Sequence, residues 1–473
     1  MIAWVIAAPL LAAILAAGLR TFESRRVARF TLAIAAALLP IAVAGKIDAL
    51  SLVFAALVSA LGLLATVFST GSFSSDWGND DVAWSRKSVY FILLGAFWSA
   101  MLLTVLADGF SGLWLGISAT TLTTAFLVGF SGEAAALEAA WKYLVLCSAG
   151  IAFALLGIVI LAHVSIALGV DAAHALSWSA IATHATGEPP LARLAAALML
   201  IGFATKAGLV PMHAWLPDAH SKAPAPISAL LSGVLVSCAL YAIMRTLQVG
   251  TALGAGPLLH ELLLWLGALS TIVAGTLMLT QTDLKRFLAY STVEHAGIVA
   301  LALGFGGPLG LLAALFHVTA HAFAKSAAFF AAGIVQREHG TTKLGDLHAL
   351  WASGRSGRVL LGALTALSGM PPFGIFAGEL LLVLAGVAAH AWIPLAVGLL
   401  GIALAFAAIA RAAIEIEAGH AKATTSRKHS PASRLASAAA AAALAGALIL
   451  GGVLWSPLGA MLGATAATIG GQR

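Results

Sequence analysis

Apolar residues run along this chain in blocks of roughly 20 or more, the length an α-helix needs to cross a bilayer. Short polar stretches between the blocks hold most of its arginines and lysines. Read as crossings, the blocks fall near 2–19, 30–46, 48–70, 89–107, 111–130, 142–168, 191–215, 226–248, 257–280, 286–304, 308–333, 358–385, 391–413 and 435–466. The pattern predicts an all-α polytopic membrane protein with about fourteen transmembrane helices. Two blocks are broken by proline beside a charged side chain: Lys206 with Pro211 and Pro217, and Glu379 with Pro371 and Pro372. Lipid cannot hydrogen-bond the backbone groups freed at a break, so such helices belong inside protein or along a hydrated cavity. Corresponding breaks in two parts of one chain mark a transport site. Crossings 4 to 8 and 9 to 13 each centre on a broken helix, and an odd number of helices per unit inverts the second unit. The expected organisation is three N-terminal helices over 1–88, five-helix units over 89–248 and 257–413, and a basic loop with an Ala-rich last helix over 414–473.

Composition agrees with a bilayer protein: 61% of the 473 residues are hydrophobic and 9% charged. The net charge of +6 is spread over short loops, which argues against nucleic-acid binding. Counting loops from the first, odd loops hold Arg20, Arg25, Arg26 and Arg29; Arg86 and Lys87; Lys142; Lys222; Lys285 and Arg286; Arg337, Lys343, Arg355 and Arg358; and Arg411, Lys422, Arg427, Lys428 and Arg434. Even loops hold only Lys46, Arg193 and Arg245. By the positive-inside rule the odd loops are cytoplasmic and both termini lie on the outer side. The first segment lacks a basic leader and is expected to be a retained helix rather than a signal. Cys147 and Cys238 stand alone, without the spacing of a metal, cluster or dithiol site, so no cofactor is expected and redox chemistry belongs to another chain.

Ionisable residues inside apolar segments carry the functional argument, because a charge at bilayer depth costs on the order of 3 kcal/mol and persists facing a hydrated or paired interior. Lys206 and Glu379, beside the two breaks, are candidate proton carriers; the plainer alternative is a side chain snorkelling to the membrane surface. His317, His321 and Lys325 recur every four residues and share one helix face over about 12 Å, a row able to exchange protons. The same row could bind zinc, for which a third ligand is missing, or bond neighbouring helices. Glu294 and His295 suit either a relay or a polar helix-packing pair. Glu138 and Lys142 have the spacing of a stabilising ion pair. His213 and His220 flank a WLPDA turn and could lead water toward Lys206, while Asp218 fixes that turn.

The segments TKAGLVPMHAWLPDAHSKAPAPISALLSG, DLKRFLAYSTVEHAGIVALA, LFHVTAHAFAKSAAFFAAG and LSGMPPFGIFAGELL resemble the antiporter-like proton-translocating subunits of respiratory complex I, cation/proton antiporters and membrane-bound hydrogenases. EAAWKYLVLCSAGIAFALLG and the HAWLPDAHS form look most like the F component of hydrogenase-4 and formate hydrogenlyase-type complexes. The resemblance implies fourteen helices, two inverted five-helix repeats with broken seventh and twelfth helices, and a hydrated central axis. On that axis it implies Lys206, His317, His321, Lys325 and Glu379 as conducting residues.

Two positions depart from the family. The fifth helix usually supplies a glutamate to the seventh-helix lysine, and the corresponding place is expected at Ser118. Many relatives have a lysine in the eighth helix where Ser237 stands. A neutral serine holds no proton equivalent, so either Glu138 substitutes or this half conducts poorly. The resemblance thus implies a multipass, non-catalytic transport subunit in a bacterial or archaeal cytoplasmic membrane. Its expected partners are further antiporter-like chains and a peripheral nickel–iron hydrogenase module with iron–sulfur subunits. Alternatives are a complex I-like oxidoreductase, a multisubunit antiporter, a proton-driven inorganic-carbon uptake complex, or a scaffold that only anchors partners.

Overall fold

The computed structural model describes residues 1–18, 33–34, 36–72, 81–184, 187, 189–418 and 431–453. Among these the chain is helical, with one isolated bridge between Asp283 and Lys343 and no strand. Eleven helices are long and apolar enough to cross a bilayer, and the shorter Ile2–Gly18 and Gly374–Ala388 are apolar too. The crossing expected at 30–46 lies partly outside the described residues, and its described end, Leu39–Lys46, is a 3₁₀ helix with Pro40 in its first turn. Pro40 has no N–H to continue an α-helical ladder. The basic first loop, residues 419–430 of the 415–433 loop and the stretch after Val453 also fall outside the described residues.

The helices that carry ionisable residues form the centre. All of the apolar stretch of Ala225–Ala252 is buried, as are 94% of that of Leu284–Phe305 and 83% of that of Gly307–His339, against 33% for Trp392–Ala418. Lipid accepts an apolar surface and excludes a charged one, so the apolar outer helices shield the polar inner ones. Gly256–Met278 packs along Leu284–Phe305, and Ala134–Ala167 along Pro190–Ala207. The two longest helices, Ala134–Ala167 with 34 residues and Gly307–His339 with 33, each precede a broken one in the chain.

Both breaks lie where the prolines place them. Pro190–Ala207 ends at Gly208, whose φ of +75° a side chain would oppose, and the chain resumes as the short helix Trp215–Lys222. The freed groups are satisfied inside the protein: the Trp215 indole donates to the Thr205 carbonyl at 2.9 Å and the Val210 N–H to Ser270 Oγ at 3.0 Å. The second break separates Arg355–Leu367 from Gly374–Ala388, with the Phe373 N–H returning to the Met370 carbonyl at 3.2 Å. Between Ala225–Leu230 and Val236–Ala252 the helix widens into a π turn, Leu231–Leu235, where Ser232 Oγ meets Thr292 Oγ1 at 2.7 Å.

Candidate functional site

Lys206 occupies the last turn before the first break and is fully buried. Its Nζ donates to Thr121 Oγ1 at 2.7 Å and to Tyr143 OH at 2.6 Å, and that phenol is in turn 2.5 Å from Thr124 Oγ1. The Tyr143 ring rests on Trp215, 5.0 Å between centroids, so the residue that anchors the break also positions the phenol. Phe110–Val128 therefore presents Thr121 to the lysine where Ser118 was expected. Ser118 gives its hydroxyl to the Trp114 carbonyl at 2.8 Å, and the helix backbone absorbs it. Ser237 likewise donates to the Gly233 carbonyl at 2.7 Å.

Glu138 is not brought to Lys206. It pairs with Lys142 at 2.6 Å on the surface, with the two side chains 65% and 50% exposed. Lys142 also approaches Asp218 at 3.5 Å, and Asp218 holds Arg286 at 2.7 Å. The carboxylate of the WLPDA turn thus ties Ala134–Ala167 to Leu284–Phe305 through the short helix. Lys285 adds to this tie by donating to the Ala223 carbonyl at 2.7 Å.

The second half is denser. Gly307–His339 presents His317, His321 and Lys325 at successive turns, all buried, toward Leu284–Phe305. His295 Nδ1 lies 3.0 Å from His317 Nε2, and the His295 ring meets the His321 ring edge to face at 5.0 Å between centroids. Glu294 Oε2 is 3.4 Å from His295 Nε2. Lys325 donates to the Leu288 carbonyl at 2.9 Å and to Ser291 Oγ. Gly378 lets Gly374–Ala388 close on this row, since a Cβ there would stand 2.9 Å from the His317 side chain; Glu379 follows it with its carboxylate against Gly369.

His220, on the short helix between the halves, is fully buried and stacks on Phe329 at 5.2 Å. His213 is only partly buried, with its ring 6.4 Å from that of Tyr290. The structure thus gathers Glu294, His295, His317, His321 and Lys325 into one cluster with Glu379 on the helix packed against it. Lys206 sits apart among hydroxyls, and Glu138 lies at the surface.

Among the described residues, Glu294 Oε2, His295 Nε2, His317 Nδ1, His321 Nε2 and both His220 ring nitrogens are buried without a hydrogen-bond partner in the protein. Each such atom costs about 1–3 kcal/mol. No group of His, Cys, Asp and Glu able to hold a metal ion occurs among the described residues. Tyr143 and Thr121 were missed by sequence reasoning. Their signal was weak: a tyrosine beside the Glu138–Lys142 pair and a threonine-rich ATTLTT run.

Residues 107–405 match the family model described as NADH:quinone oxidoreductase/Mrp antiporter, TM. The chain is 36% identical over 344 residues to a hydrogenase-4 component F homolog of Methylacidiphilum infernorum, covering 71% of each chain. It is 32% identical over 319 residues to NADH-quinone oxidoreductase subunit N of Desulforudis audaxviator, covering 66% of this chain and 61% of that one. Its fold matches a chain in the structure of the Mrp complex from Dietzia sp. DQ12-45-1b with a TM-score of 0.83 at 19% identity, over 99% of this chain and 97% of that one.

Proposed function

Because the chain belongs to the NADH:quinone oxidoreductase/Mrp antiporter family of membrane subunits, we propose that it moves protons through the bilayer along its buried polar axis, driven by a group-4 nickel–iron hydrogenase module carried on other chains. At the coarser level it is an antiporter-like proton-translocating subunit of a multisubunit membrane complex. The observation that carries the finer reading is the cluster His295, His317, His321 and Lys325, with Glu294 and Glu379 beside it. It is buried, close enough for proton exchange and under-satisfied by the protein. The hydrogenase module is supported by the likeness to a hydrogenase-4 component F homolog.

Protons travel, in this reading, between Lys206 and the histidine cluster past His220, and Glu379 serves the far end. The two five-helix units are inverted copies, supported by the matching order of a long helix followed by a broken one. Both termini face the outer side. That orientation is supported by the loop charges, and one cavity draws together Ile2, Lys46, Asp108 and Gln248, so that the N-terminus shares a face with three even-loop ends. One observation favours a non-conducting scaffold instead, namely that among the described residues Lys206 bonds to hydroxyls and to no carboxylate.

In the assembled complex in sealed vesicles, Lys206→Ala, Lys325→Ala and Glu379→Gln should each reduce coupled proton movement while the complex still forms. Normal movement in all three variants would leave the scaffold reading standing. Copurification in mild detergent tests the module: a nickel–iron large subunit supports it, and a quinone-reducing module or a second antiporter chain without it overturns it.

A further inference from the structure

Tyr290, Ser291 and Thr292 are consecutive on Leu284–Phe305, and each meets a different neighbour. Tyr290 lies near His213, 6.4 Å between ring centroids, and Thr292 Oγ1 meets Ser232 Oγ of the π turn at 2.7 Å. Gly233 lets that turn close on Gly307–His339, since a Cβ there would stand 2.7 Å from the Ala322 carbonyl. Successive side chains on an α-helix point about 100° apart, so with its two neighbours held on other elements Ser291 is left aimed at Lys325. Its hydroxyl is fully buried and takes a hydrogen bond from the lysine.

The Leu288 carbonyl, one turn before Thr292, closes a polar triangle. It lies 2.9 Å from Lys325 Nζ and 3.2 Å from Ser291 Oγ, and Thr292 Oγ1 reaches it at 3.1 Å. The three kinds of group are not equivalent: a carbonyl only accepts, an ammonium only donates, and a hydroxyl does both. With Lys325 charged, Nζ donates to the carbonyl and to Ser291 Oγ, while the serine proton points to the carbonyl. With Lys325 neutral, a turn about Cε–Nζ brings the new lone pair to Ser291, and the hydroxyl swings its proton onto it. The carbonyl keeps Lys325 and Thr292 as donors. Only hydrogens move, so neither state of the lysine strands a buried polar atom of the triangle, which would cost about 1–3 kcal/mol.

We propose that Ser291 is a positioning residue for Lys325, a hydroxyl rotor that satisfies the charged and the neutral lysine in turn and so eases its exchange of protons. The proton that Lys325 gives up leaves by its third N–H, the one that neither the carbonyl nor the hydroxyl holds. A fixed acceptor in place of the serine would favour the ammonium alone. An apolar residue would leave the neutral amine without a donor. The inference deepens the reading of Lys325 as a proton carrier and rests on it.

The test reads coupled proton movement by the assembled complex in sealed vesicles. Ser291→Ala should slow it roughly tenfold, the factor that about 1.4 kcal/mol gives. Ser291→Thr, which keeps the hydroxyl, should retain most of the parent rate, and Ser291→Cys, whose thiol donates and accepts weakly, should fall between alanine and serine. Ser326→Ala removes a buried hydroxyl next to Lys325 that has no partner among the described residues, and should transport normally. The parent rate in Ser291→Ala overturns the proposal. So does a loss in Ser291→Thr and Ser291→Cys equal to that in Ser291→Ala, or an equal loss in Ser326→Ala, because packing alone then explains the effect. Lys325→Ala is measured alongside: normal transport there removes the carrier and its rotor together, whereas slow transport there with a normal Ser291→Ala removes the rotor alone.

Discussion

Replacing Tyr143 by Phe isolates what holds Lys206. The change removes one oxygen and keeps the ring on Trp215, so the break in the helix stays packed. It deletes the 2.6 Å bond from the lysine and the 2.5 Å contact with Thr124, leaving Thr121 as the hydroxyl the lysine still reaches. A hydrogen bond to a charged group is worth about 1.5–3 kcal/mol. A transport step that passes through the ammonium should therefore slow by roughly ten- to hundredfold, each decade corresponding to about 1.4 kcal/mol. The assay is coupled proton movement by the assembled complex in sealed vesicles, with Ser118→Ala alongside. Among the described residues Ser118 hydrogen-bonds to its own helix carbonyl alone, so its loss should leave the rate within about twofold, as expected of a site outside any network. Normal transport in Tyr143→Phe, or an equal loss in Ser118→Ala, would refute the assignment of the hydroxyl pair as the lysine's partner.

Other outcomes follow from the same geometry. Gly378→Ala places a Cβ 2.9 Å from the His317 side chain and should cost about 1–3 kcal/mol through overpacking, read as a lower thermal midpoint of the purified complex together with reduced proton movement. Asp218→Asn breaks the links to Arg286 and Lys142; being near the surface, they should contribute no more than about 1 kcal/mol, and the difference from the parent should shrink as salt is raised. Burial alone pushes the Asp48 carboxyl up, but Arg245 and the Ser51 bonds outweigh it and hold the group below its ordinary value. Its contribution to stability is thus complete above about pH 3.9 and lost as pH falls through the lower folded value. Acid unfolding followed by circular dichroism should show less dependence on pH in that window for Asp48→Asn than for the parent.

The prolines and the buried charges were legible in the sequence because a bilayer leaves them few places to go. Pro211 and Pro371 locate the two breaks, and the four-residue spacing of His317, His321 and Lys325 fixes their common face. What crosses to meet that face was not legible. His295 bonds to His317 from the preceding helix, and periodicity within one helix does not reveal how the next is rotated against it. The same limit misplaced the partner of Lys206. Ser118 and Thr121 lie one turn apart on a segment rich in small hydroxyl residues, where no charge marks the inward side. The pairing of Asp48 with Arg245 spans 197 positions, and each residue alone reads as a charge near a span end.

The widened turn at Leu231–Leu235 sets the compass bearing of everything that follows it. An α-helix rotates by about 100° per residue, so the extra residue taken up by a π turn swings the rest of the helix by that angle. Shortening this turn by one residue would leave the composition of the segment almost unchanged, yet would aim Ser237, Tyr241 and Arg245 about a quarter of a circle away from Asp48. The meeting of Arg245 with its carboxylate is therefore written as much in the residue count of the backbone as in the identity of the side chains.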